Sequence, residues 1–246
     1  MHLAPVAGDL VGNTQRVQRA MGAAAARGAA LAITPELALS GYGFPWVEQG
    51  AWIERQPDCW LRAVATTAQQ LGLAVLIGAA ERDVVTRELH NSAFLIDHTG
   101  TVIAHHRKIN VAADGWSRPG TLVGPMIWRA LRIGCLICAD AYTPDVAGQL
   151  RDEGADILVS PANWGPGPHG PAGEWEARSR ETGLPFFVCN RTGRDGTMDF
   201  SQAESLVIIG GERRLAHHSL QPTLLTFDWN AEERTLQSRE WVRDPL

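Results

Sequence analysis

The sequence predicts a mixed α/β fold, and three observations carry that reading. Short apolar runs of the buried-strand kind alternate with segments whose apolar residues recur at helical spacing. Runs 91–96 and 101–106 flank Asp97-His98-Thr99-Gly100, a hairpin signal that makes part of the sheet antiparallel. Nothing along the 246 residues reads as a linker or an internal repeat, so 1–246 is expected to be one domain, with a peripheral arm over about 230–246.

Taken in order, Asn13 is placed to cap a helix over 14–27, with Val17, Ala20, Met21 and Ala24 on one face and Gly28 as its stop. A strand over 29–35 then leads to Glu36. Trp60 to Gln70 reads as a second amphipathic helix ended by Gly72, and 73–78 is a continuous apolar run suited to a buried strand. After the hairpin, the run 131–137 is a strand that ends at Cys138. A helix over 145–152, a strand over 156–160, a Gly/Pro-rich loop over 161–173, a helix over 174–182 and a strand over 186–190 follow. Two later strands, 205–209 and 223–229, are expected around the Gly210-Gly211 turn.

Composition narrows the class of ligand. A net charge of -5 argues against nucleic acid or an anionic membrane as the main partner, because both need a basic face. No apolar stretch reaches the roughly 18 residues a membrane helix requires, and no basic region with an apolar signal core opens the chain. The expectation is a cytoplasmic protein that binds a small molecule. Four cysteines, Cys59, Cys135, Cys138 and Cys189, are too few and too scattered for a disulfide framework, so reduced thiols are expected.

Three polar residues each end a predicted strand: Glu36, Lys108 and Cys138. Strand ends are where active sites of α/β proteins gather, and a helix opening after Cys138 would favour its thiolate. A free thiol has a pKa near ~8.5, so a neighbouring base or positive field is needed to make it a nucleophile at neutral pH. Glu36 is suited to take that proton, give one to a departing amine and later take one from water. Lys108, with the backbone N–H of Ala139, is suited to face a developing oxyanion. Taken alone, Cys138 is an inert buried thiol as readily as a nucleophile, and Cys135 with Cys138 also spells a redox pair or half a zinc site.

The segments Pro35-Glu36-Leu37-Ala38-Leu39-Ser40-Gly41-Tyr42, His106-Arg107-Lys108-Ile109 and Gly134-Cys135-Leu136-Ile137-Cys138-Ala139-Asp140 resemble, in that order, the nitrilase superfamily of carbon-nitrogen hydrolases. Support comes from 154–164 and from Asn190-Arg191-Thr192-Gly193, and the resemblance covers nearly the whole chain. It implies a four-layer αββα sandwich of two mixed sheets packed face to face. It also implies a Glu36, Lys108 and Cys138 triad, no cofactor and a homodimer or larger assembly through the helices near 145–152 and 174–182. Where nitrile-active relatives carry Trp-Glu after the cysteine, this chain has Ala139-Asp140, which leans to the amidase-like branch.

Asp140 is expected to orient the nucleophile loop by accepting backbone N–H bonds. Relatives carry a second Glu a few residues after the Lys, and Asp114 is the one acid that segment offers here. Tyr42, Asp114 and Trp164 are further candidates for substrate contact, and Arg191 or Arg178 for a substrate carboxylate. The leading expectation is hydrolysis of a small linear amide or N-carbamoyl compound through a Cys138 thioester. Acyl transfer through the same thioester, and a non-catalytic binding role, stand as alternatives.

Overall fold

A computed structural model describes residues 1–43, 50–121 and 124–246. Helix α1 (Leu10–Ala26) begins at Asp9, whose carboxylate accepts the Gly12 N–H at 2.9 Å. The cap expected at Asn13 therefore moves upstream. Asn13 is instead tied by its amide to the backbone of Val6 and Leu39, and buried. Strand β1 (Leu31–Ile33) is followed by α2 (Cys59–Leu71), which Asp58 caps and left-handed Gly72 stops. Strands β2 (Ala74–Arg82), β3 (Leu89–Ile96) and β4 (Val102–Arg107) complete a sheet of order β1-β2-β3-β4, parallel at β1–β2 and antiparallel beyond.

The second half of the chain supplies β5 (Met126–Trp128), β6 (Leu131–Cys135), a 3-10 turn (Cys138–Tyr142), α3 (Pro144–Asp152), β7 (Ile157–Ala162), α4 (Glu174–Thr182) and β8 (Phe186–Asn190). A two-residue ladder of β9 (Arg194–Asp195) and β10 (Met198–Asp199) precedes β11 (Ser205–Ile209) and β12 (Glu212–His217). The second sheet has order β12-β11-β8-β7-β6-β5, parallel through β6, β7 and β8 and antiparallel at its edges.

Alternation along the strands sets the layers. Val75, Ile77, Phe94 and Ile96 pack on Val17, Ala20 and Met21 of α1 and Leu61, Val64 and Ala68 of α2. Ala74, Leu76, Ala93 and Leu95, on the opposite face, share a core with Ile133, Val159, Phe187 and Val207 of the second sheet. That core runs on to Val146 and Leu150 of α3 and Trp175 of α4. Helices, sheet, sheet and helices thus form the expected four-layer sandwich of two mixed sheets.

One strand was misplaced by sequence reasoning. The partner of β11 across Gly210-Gly211 is β12, whereas β13 (Thr223–Thr226) pairs with β16 (Val242–Pro245) outside that sheet. Edge strand β12 carries Glu212, Arg213 and Arg214 exposed to water, so it lacks the apolar signature of a buried strand. Within the last residues, β14 (Trp229–Asn230) and β15 (Thr235–Leu236) form a small hairpin. Trp241 is buried in the main core, edge-on to Phe227 at 5.4 Å. Among the described residues no helix is long and apolar enough to cross a membrane.

Candidate active site

Each member of the expected triad is delivered by a strand end. Past β1 the backbone continues along β2 through Thr34 N–H to Leu76 O (3.0 Å) and Ala38 N–H to Gly78 O (2.9 Å). Gly78 makes that approach possible, since a Cβ there would lie 2.7 Å from Leu37 N and 2.8 Å from Pro35 O. Leu37 has a positive φ of 49°, and the tight turn sends the Glu36 side chain fully into the interior. Lys108 follows β4 directly, its N–H bonded to Asn91 O at 2.8 Å. Cys138 opens the 3-10 turn in left-handed backbone (φ 50°), an uncommon state for a residue with a Cβ, and its N–H reaches Ser160 Oγ on β7 at 3.2 Å.

Asp140 holds that backbone state. Its carboxylate accepts N–H bonds from Ile137, Ile109 and Asn110 at 2.7–2.9 Å and pairs with His106 Nε2 at 3.1 Å. Asn110 Nδ2 adds a bond to Ala139 O at 3.0 Å. The Cys138 turn and the segment after β4 are therefore stapled together through one buried acid, the orienting role read from the sequence.

The side chains converge. Lys108 Nζ lies 2.6 Å from Glu36 Oε1, which also accepts from Asn91 Nδ2 at 2.7 Å. Glu36 Oε2 accepts the Asn163 N–H at 3.1 Å, and Asn163 Nδ2 donates to the Glu36 carbonyl at 2.6 Å. The Cys138 thiol interacts with the Glu36 carboxyl and the Asn163 N–H. Burial first, then the charge of Glu36, pushes that thiol well above the ordinary cysteine range, outweighing Lys108 and the Asn163 N–H. Burial pulls the Lys108 ammonium down, but Glu36, with Cys138 and Tyr42, overcomes this and holds it above the usual lysine range.

Tyr42 joins the cluster, its phenol pushed up by the charge of Glu36, then by burial. Half-buried Ala139 follows Cys138 in the turn. Trp164, next to Asn163, is buried edge-on between Tyr142 (4.8 Å) and Trp175 (4.9 Å), and its indole N–H bonds His169 O in the Gly/Pro-rich loop. Asp114 is exposed on a turn, and among the described residues no hydrogen bond or ion pair joins it to Glu36 or Lys108.

Neither arginine stands free for a substrate. Buried Arg191 pairs with Asp195 at 2.8 Å, bonds the carbonyls of Pro5 and Thr192, and lies over the Phe200 ring. Arg178 is held by Glu181 and Ala141 O. Sequence reasoning missed Asn91 and His106 as supports; the available signal was an amide inside a strand, where Asn is disfavoured. All four cysteines are free, and no group of three or more His, Cys, Asp or Glu among the described residues is placed to hold a metal ion.

The chain is similar to known proteins in sequence and in fold. The family model described as carbon-nitrogen hydrolase matches residues 1–219. An (R)-stereoselective amidase from a Pseudomonas species is 30% identical over 191 residues, spanning 76% of this chain and 67% of that relative. The hydrolase in the pqqF 5' region of Pseudomonas protegens is 32% identical over 160 residues, spanning 62% of this chain and 54% of that relative. The chain thus spans little more than half to two thirds of these relatives' own length. A mutant of the amidase from Nesterenkonia sp. AN1, with acrylamide added at its active-site cysteine, superposes with a TM-score of 0.80 at 21% identity. That superposition covers 89% of this chain and 87% of the other, and speaks for the fold. On the extent of the family match, the chain belongs to the carbon-nitrogen hydrolase family.

Proposed function

We propose that the chain hydrolyses the C–N bond of a small linear amide or N-carbamoyl compound through a thioester on Cys138. The observation that carries this reading is the meeting of a buried thiol, a carboxylate and an ammonium around Glu36. Glu36 takes the thiol proton as Sγ attacks the carbonyl carbon, and negative charge develops on the carbonyl oxygen. The Lys108 ammonium and the Ala139 N–H stabilise that oxyanion. Protonated Glu36 then gives its proton to the nitrogen as the C–N bond breaks, leaving the thioester and free amine or ammonia. Water attacks next, Glu36 accepts its proton and returns it to sulfur, and the acid leaves.

Tyr42 and Trp164 supply aromatic surface beside the site for the apolar part of a substrate. The names of the amidase relatives support the amide class. Assembly as a homodimer through α3 and α4 is part of the proposal, and sedimentation as a monomer at micromolar concentration would count against it. Cys138→Ala and Lys108→Ala are each expected to fold and to lose turnover, the latter by about 10² to 10³-fold. Intact-mass measurement after mixing with small amides should find an acyl adduct in the wild type and none in Cys138→Ala; normal turnover in that variant removes the mechanism.

A further inference from the structure

The two oxygens of Glu36 keep different company. Oε1 receives two side-chain donors, Lys108 Nζ at 2.6 Å and Asn91 Nδ2 at 2.7 Å, whereas Oε2 receives the Asn163 N–H at the longer distance of 3.1 Å. Asn91 sits on β3 opposite Ala80, is 4% exposed, and its carbonyl accepts the Lys108 N–H at 2.8 Å. One residue therefore grips the base through its side chain and the cation through its backbone. Its own Oδ1 is buried and has no hydrogen-bond partner among the described residues. Turning the amide over would set that oxygen against the Glu36 carboxylate, so the donor orientation is kept although it leaves an acceptor unpaired.

We propose that Asn91 is a positioning residue that, by filling Oε1 beside Lys108, reserves Glu36 Oε2 as the oxygen that carries the proton to and from Cys138 and the leaving amine. The proposal rests on the thioester mechanism above. The titratable groups facing Glu36 are Lys108 from the end of β4, Cys138 from the 3-10 turn and Tyr42 from its own turn, and Asn91 adds a neutral donor to them.

Asn91→Leu removes the donor at similar volume, and Asn91→Asp sets a second carboxyl against Glu36. Both are expected to lower kcat by about 10- to 100-fold with KM little changed, because the base is misdirected while the substrate site is untouched. The acid limb of kcat/KM should move to higher pH in Asn91→Leu, since the variant loses the hydrogen-bond donor to the carboxylate, and further in Asn91→Asp. A folded Asn91→Leu protein with wild-type kcat overturns the assignment. A lower kcat with an unmoved pH profile overturns it too, because a merely structural residue behaves that way. Should Asn91→Leu not fold, Asn91→Ala reads the same limb. Full activity in Cys138→Ala would instead remove the thioester mechanism, which separates the two failures.

Discussion

At Cys138 burial and the neighbouring charges together set the protonation of the thiol. Burial and the Glu36 carboxylate both disfavour the thiolate, and Lys108 and the Asn163 N–H offset only part of this, so the resting group is a thiol. In the proposed mechanism a reactive sulfur arises as Glu36 accepts the proton during attack. Glu36→Gln separates the two effects of the acid. It removes the base, so turnover should fall by about 10² to 10⁴-fold. It also removes the negative charge while the Lys108 ammonium remains, so the thiolate should form at lower pH than in the wild type. Titration of Cys138 by thiolate ultraviolet absorbance reads this, and a midpoint equal to or above the wild-type one would show that Glu36 does not hold the thiol up.

Between elements, Asp140 does the joining. It binds the turn after β6 to the segment after β4, so the sulfur and the ammonium keep one spacing. Asp140→Ala would leave three backbone N–H groups and His106 Nε2 without their acceptor in the interior. The expected loss of unfolding free energy is about 3–5 kcal/mol, with turnover falling in parallel. Urea unfolding checks the magnitude, and a change below ~1 kcal/mol would mean that water or a shifted side chain replaces the carboxylate. Elements with a strong local signature were legible in the sequence: 174–182, 186–190 and 205–209 are helix, strand and strand as expected. β12 was not, because its charges face water. The meeting of Glu36, Lys108 and Cys138 was legible because each ends an apolar run. Asn91 was hidden because its partner Glu36 lies 55 residues away, and only the β2–β3 pairing brings them together. Arg191 read as a free cation because a sequence does not display Asp195 and the carbonyls that occupy it.

For the molecule as a whole, the site depends on how the two sheets sit on each other. Glu36 and Lys108 come from the first sheet, and Cys138 and Asn163 from the second. Loosening the sandwich would move Glu36 and Lys108 away from Cys138 and Asn163. His2 makes part of the stability depend on pH. It is fully buried, with Nδ1 bonded to Asn190 O (2.9 Å) on β8 and Ser205 Oγ (3.0 Å) on β11, and its ring meets His217 edge-on at 5.3 Å. Burial first, then the neighbouring His217, holds its pKa down from 6.5 to about 3. The folded state thus keeps His2 neutral where the unfolded chain binds a proton. Stability from this residue is full above pH 6.5 and declines as pH falls toward about 3, where the folded form protonates as well. The loss at the bottom of that window is on the order of 5 kcal/mol. Urea unfolding followed from about pH 7 to pH 4 should give a falling free energy in the wild type and a shallower fall in His2→Gln. Equal slopes in the two proteins would assign the acid sensitivity to other groups.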